Sequence, residues 1–563
     1  MLRDPDEGSA FVFDLVEHDE PDPDRPPVAP GANGTVQAAA PAVADDADRE
    51  PDAPAARGTD AWRRTVPTVA AVLAIALGTG IASDGVRDAA RIERMRDFGG
   101  GVEDVSTPLT EKWVWDGDVG LVDRGLGGTD AIVLGDILAF QSGRDLVALD
   151  PATGEEAWVV PLGDDPACGP TGVSPDQGAP ARSVSMMVCL YGAAADREAV
   201  SVRPDGTVSA PRTLDPSDTR RHGSARPGPD GTVLRAMRIG PESEVDLGDA
   251  RCEDSGECTG TVAAGRDVGL RAESAVTGEE LWTVTVPFEG AEAWECWDDS
   301  WEDPNGGLAF DGEVHPDGFG GHASADLVRL YGCGVAAAVT PDGLLLDPEP
   351  DPGTGHAESL ALGGYAWLDQ SGPARTVIYD DDGAVVVDVS GHVRGPSVAD
   401  GAGPDTLLGT DETGGRLLAY DADGLPRWDI AAQAPEHAFL AQVGRTVVVR
   451  AQGAEDVRGL DVDTGTERWR WDTPAAGDWV IGTFTDGRAV LLHLIQADSG
   501  LPRMVSLDAA SGELLWQESD EAATSRMEAA SSGPDDEEVA VPALVAVDGR
   551  LLEVSRNGVR GLG

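Results

Sequence analysis

Lysine is almost absent. Lys112 stands alone among 563 residues, and Arg supplies the rest of the 41 basic side chains. Against 101 acidic residues this leaves a net charge of −60. Phosphate backbones are held by clustered Lys and Arg, so nucleic acid is excluded as a partner. The Arg-for-Lys bias, with abundant Ala, Gly, Asp and Val, predicts a GC-rich, actinobacterium-like source. Aromatics make up only 5%, yet Trp (14) outnumbers Phe (9) and Tyr (5). There are six cysteines, Cys168, Cys189, Cys252, Cys258, Cys296 and Cys333, with no two adjacent. Gly-x-Ser-x-Gly, Walker and His-Glu-x-x-His patterns are all missing, which removes the hydrolase, nucleotide and zinc-protease chemistries that need them.

What is present is a repeat. Leu460–Trp469 (LDVDTGTERW) has copies at Leu149–Trp158, Ser274–Trp282, Asp421–Trp428 and Leu507–Trp516. The shared positions are Asp150, Thr153, Gly154 and Trp158; Thr277, Gly278 and Trp282; Asp421, Gly424 and Trp428; Asp461, Thr464, Gly465 and Trp469; and Asp508, Ser511, Gly512 and Trp516. Each copy joins two apolar runs, as two strands joined by a tight turn would. The Asp carboxylate accepts a backbone N–H two residues on, Gly supplies positive φ, and Trp heads the next strand. Trp-less copies fill the gaps at Val202–Val208, Val339–Leu345 and Tyr379–Val385. The spacing is that of four-stranded propeller blades.

The Asp-x-x-Thr-Gly-x-x-x-Trp skeleton resembles the repeat of quinoprotein-like β-propellers, the pyrroloquinoline-quinone-type superfamily, over Trp113–Gly563. The resemblance implies an all-β propeller, and a superfamily that holds both dehydrogenases and non-catalytic assembly or scaffold proteins. Candidate strand ends near 115, 158, 208, 282, 346, 388, 428, 469 and 516 are one too many for an ordinary ring. Eight blades are therefore expected, with seven as the alternative and one Trp-less copy as an extra hairpin. Lys112–Trp115 should pair with Leu544–Val559 in one shared blade, which closes the ring. Ala210–Asp230 and Glu289–Gly321 read as loops projecting from it.

Residues 1–61 are acidic and rich in Pro and Ala, the composition of a disordered tail. Phe11–Glu17 (FVFDLVE) is an apolar island there, a candidate motif for a cytoplasmic partner. Within 62–83, Val66–Ala82 is a charge-free, Ala-rich run long enough to span a membrane once. Residues 84–110 follow as a juxtamembrane stalk, with Arg87–Phe98 helical and a hinge at Gly99–Gly101, and 111–563 is the propeller. All cysteines lie beyond the anchor, as an oxidising exterior requires. Of fifteen connectivities the sequential set is preferred: Cys168–Cys189, Cys252–Cys258 and Cys296–Cys333.

The resemblance implies pyrroloquinoline quinone, Ca²⁺ and a vicinal disulfide in the catalytic members. This chain has no Cys-Cys pair, so neither quinone nor Ca²⁺ is expected, and no catalytic, cofactor or metal residue is assigned. The Asp residues at 380–382, 421–423 and 461–463 are accounted for by turns. His315 and His322, beside Asp298, Asp299, Glu302 and Asp311, lack metal-ligand spacing. Trp294, Trp297 and Trp301 cluster without explanation, as either an apolar plug or a surface for glycan or protein. The expected function is a membrane-anchored, non-catalytic, extracytoplasmic interaction or ligand-binding platform at the cell membrane. A quinone- or metal-dependent oxidoreductase and an envelope sensor signalling through the tail are the alternatives.

Overall fold

The computed structural model describes residues 88–563 except 97, 121–130, 171–181, 194–195, 253–257, 297–300, 302–312, 347–354, 361–362, 370–373, 405, 412, 433–436, 452–455, 474–477 and 531–540. Phe11–Glu17, Val66–Ala82 and Trp297 lie outside the described residues. Among the described residues no helix is long and apolar enough to cross a membrane.

Strands alternate with tight turns from Glu111 to Leu562 and pair as up-and-down meanders. Among the described residues, eight four-stranded sheets and one five-stranded sheet form nine blades. Numbered along the chain, they span 132–161, 167–213, 225–286, 319–346, 355–390, 392–431, 437–472 and 479–517, with blade 9 shared by the two ends. The expected count of eight or seven is therefore corrected to nine. No Trp-less copy is a spare hairpin, because other side chains cover the turn of the next blade where Trp is missing. Arg212 of blade 2 lies over Gly278, Leu344 of blade 4 over Gly383, and Val387 of blade 5 over Gly424.

The core is divided among the junctions. Each pair of neighbouring blades encloses its own slab of buried aliphatic side chains, including blade 9 against blade 1 through Val545, Leu552, Leu138 and Phe140. Blade 9 takes its three inner strands from Ala543–Val547, Arg550–Ser555 and Gly558–Leu562, and its outer strand from Glu111–Trp115. Trp113 sits opposite Gly561 and Trp115 opposite Val559. The shared blade is as expected, but the direct partner of Lys112–Trp115 is the last strand rather than the whole of Leu544–Val559.

In each blade the turns joining strands one to two and three to four share one face, and the remaining connections share the other. On the first face, three segments add a short parallel pairing to an innermost strand: Gly101 on Thr485, Val184 on Leu134, and Val398–Ala399 on Ala441–Gln442. The helix over 88–96 lies on this face too. Met95 is fully buried, Arg94 Nε donates to Asp400 O at 3.0 Å, and Arg91 bonds the carbonyls of Glu103 and Asp486. Arg96 pairs with Glu103 at 2.9 Å. The expected stalk is thus packed on the ring instead of standing off it, because its arginines find carbonyl and carboxylate partners in the blade turns.

On the opposite face, residues 239–267 interrupt blade 3. They hold the hairpin Arg251–Cys252/Cys258–Thr259 and the strand Thr261–Val262, which pairs with Ala291–Glu292. The region expected as a loop at Glu289–Gly321 is therefore partly ordered against this insertion, and Phe319–Ala323 is the first strand of blade 4. Ala210–Asp230 is not a projecting loop either. It contains the outer strand of blade 2, a helix at Pro216–His222 capped by Asp215, and the inner strand of blade 3.

Candidate functional site

The repeat residues meet across blade boundaries. Asp150 Oδ1 accepts from the amides of Ala152 and Thr153 at 2.8 and 2.9 Å and from the Thr153 hydroxyl at 3.1 Å. Asp461 and Asp508 make the same turn with Thr464 and Ser511, and Asp421 Oδ1 accepts from Leu425 N at 2.8 Å. In the copy without Asp, Ser274 Oγ accepts from Thr277 N at 3.2 Å. The indole of one blade then lies on the turn of the next. Trp428 Nε1 donates to Val462 O at 2.8 Å, Trp469 to Ala509 O at 3.0 Å, Trp158 to Pro204 O at 2.9 Å and Trp282 to Pro341 O at 2.8 Å. Gly465 and Gly512, at φ +67° and +71°, face those rings so closely that a Cβ would stand 2.8 and 2.5 Å from them. Glycine is needed there twice over, for its dihedral and for the indole.

Residues 374–559 match the family model described as outer membrane protein assembly factor BamB. The chain is a β-propeller, and the likeness to this family lies in its blades 5 to 9. The crystal structure of BamB from Moraxella catarrhalis is similar at 13% identity over 81% of this chain and 99% of that one, with a TM-score of 0.33. No curated protein matches the chain.

In this propeller all six cysteines are paired, as Cys168–Cys189, Cys252–Cys258 and Cys296–Cys333. The first joins two strands of blade 2, and the second closes the hairpin of the insertion. The third ties the segment after blade 3 to the Gly332–Gly334 turn of blade 4. Around it Arg238 donates to the carbonyls of Arg266 and Cys333, both at 2.6 Å, and lies 5.7 and 5.4 Å from the ring centroids of Phe288 and Phe319. Burial lowers its pKa to about 10, which leaves the guanidinium charged at neutral pH. Insertion, disulfides and Arg238 together make a stapled cap over blades 3 and 4.

The structure separates the tryptophan cluster. Trp301 is 2% exposed, donates from Nε1 to Ser224 O at 3.1 Å, stacks on Phe319 and carries the Arg226 guanidinium 4.5 Å from its ring. It is a plug. Trp294 is 51% exposed on the cap. Among the described residues no three His, Cys, Asp or Glu side chains gather to hold a metal ion. His322 instead lies 3.4 Å from Arg329.

One titratable group escaped the sequence reading. Glu358 stands on Gly355–Ser359, the innermost strand of blade 5. Burial raises its pKa to about 7, against the opposing pull of Arg394 and Arg329. Nothing in the short strand GHAES set this acid apart in the sequence, because the strand also holds His356 and Ser359.

Proposed function

We propose that this chain is a single-pass membrane protein whose propeller is a non-catalytic, extracytoplasmic platform for an envelope protein partner. Its N-terminus lies in the cytoplasm, with Phe11–Glu17 available there, and Val66–Ala82 is the anchor. The observation that carries the reading is the stapled cap with its exposed Trp294, on the face opposite the helix over 88–96. Rigid loops on a ring suit docking, and exposed Trp on an ordered surface is a common interface anchor. Three disulfides favour an oxidising compartment. The repeat's carboxylates and hydroxyls are engaged in turns, which supports a structural role for them. The matching family model is described as an assembly factor, in keeping with this reading.

The experiment is a photo-crosslinker at position 294 of the full chain in intact cells, beside one at the exposed Leu515 of blade 8. A defined envelope protein is expected from 294 and not from 515. Identical products from both positions would remove the platform assignment. Turnover of alcohols by the purified chain with pyrroloquinoline quinone and Ca²⁺ would replace it with the oxidoreductase.

A further inference from the structure

Blades 6 and 7 leave a cleft of about 340 Å³ between them, lined by the apolar Leu417, Ile430 and Val449 and by the polar Arg458, Thr466 and Glu467. The ring repeats itself, so this place can be compared with the same place at another junction. Two residues beyond each docked tryptophan, strand register sets Trp115 in blade 9, Trp471 in blade 7 and Ile430 in blade 6 at one position.

At the junction of blade 9 with blade 1 that position is filled by Trp115. Its ring meets Phe140 edge-on with centroids 5.1 Å apart, and Nε1 donates to Glu156 Oε1 at 3.1 Å. The junction of blade 6 with blade 7 keeps the acceptor and loses the rings. Glu467 pairs with Leu460 as Glu156 pairs with Leu149, so the two acids correspond. Val449 pairs with Arg458 as Phe140 pairs with Val147, so Val replaces Phe. Ile replaces Trp. The cleft lies where those two aromatic rings are missing, and its wall gains Arg458, held by Asp456 at 2.9 Å. Arg470 donates to both Glu467 oxygens, at 3.3 and 2.9 Å, but a carboxylate has about four acceptor sites and so keeps room for another donor.

We propose that this cleft binds a small indole-type molecule, seated as Trp115 is seated between blades 9 and 1, with its ring N–H donating to Glu467. The volume lies near the lower end of the roughly 300–1,000 Å³ usual for ligand pockets and suits a bicyclic ring. Aliphatic walls supply burial, and the Arg458 guanidinium offers a planar cation to the ring. This inference rests on the internal repeat and not on the platform role.

The test is calorimetric titration of the full chain with indole and with 1-methylindole, which lacks the donor. Saturable one-to-one binding of indole is expected, about tenfold tighter than 1-methylindole. Glu467→Gln should bring the two probes to similar affinity. Ile430→Trp, which restores the missing side chain, should abolish binding. If that variant does not fold, Val449→Phe restores the smaller ring and should weaken indole at least about tenfold. Absence of saturable binding overturns the proposal, as does undiminished binding in the variant that fills the cleft. Equal affinities of indole and 1-methylindole in the unaltered chain would overturn the role of Glu467.

Discussion

A tryptophan in this ring serves two blades. Trp469 belongs to the outer strand of blade 7, but its N–H and its face are used on the turn of blade 8, at Ala509 and Gly512. The pairing explains why Gly and Trp recur together at fixed spacing, and why Arg212 can replace Trp: its Nε donates to Ala275 O at 2.8 Å, the equivalent carbonyl. That exchange was hidden in the sequence, since nothing in Arg212-Thr213 resembles a tryptophan strand. Glu358 was hidden for a related reason, because its environment is assembled from blades 4, 5 and 6. Its folded pKa of about 7 lies above the ordinary 4.5, so the folded chain binds the extra proton between those values. Stability from this group is present below about pH 4.5 and is lost as pH rises through 7. Glu358→Gln should therefore raise stability at pH 8 by no more than about 3 kcal/mol, since the residue as a whole keeps some contact with water although burial dominates at its carboxyl. Near pH 4.5 the variant should differ little from the parent. Urea melts of both proteins at the two pH values check this, and an equal difference at each would refute the assignment.

The cap shows how an element can be missed. Its strands are two residues long, too short for period-two alternation, and its buried cluster of Val262, Ala291, Cys296 and Cys333 comes from three separate segments. Only the cysteines signalled it. Cys296 and Cys333 are 37 residues apart and both buried, whereas Cys252 and Cys258 are 6 apart on a hairpin. Chain-entropy reasoning gives the longer loop about 4 kcal/mol and the shorter about 2 kcal/mol. The double change Cys296→Ser, Cys333→Ser should accordingly cost more in urea denaturation than Cys252→Ser, Cys258→Ser. The reverse order would mean that the hairpin, not the tie to blade 4, holds the cap.

For the whole molecule, closure is the central problem. The outer strand of blade 9 is Glu111–Trp115, far in sequence from its third strand, so no turn joins the two to receive the tryptophan of blade 8. Residues 98–110 take that place: Trp516 Nε1 donates to Val105 O at 2.8 Å, Ser506 Oγ donates to the same oxygen at 2.7 Å, and Val102 and Val105 are buried beside them. Thr110 and Gly563 then exchange backbone bonds at 3.1 and 3.0 Å. A chain starting at residue 106 keeps every strand but loses this substitute turn. It should lose at least about 3 kcal/mol, from two buried valines and an orphaned indole N–H, and its outer strand Glu111–Trp115 should become sensitive to protease. Unaltered melting would mean that the segment merely rests on the ring.

The amino-acid order alone determined the blade turn, the all-β class and the shared closing blade, and it favoured the cysteine pairing that the structure shows, because each rests on contacts between residues near in sequence or on end-to-end symmetry. The number of blades, the docking of 88–105, the cap and the cleft beside Ile430 were decided only by tertiary structure. Each depends on what lies across a blade junction, and there Arg, Leu or Val can stand in for Trp, or Ile can leave its place open, without changing the local pattern of strand and turn.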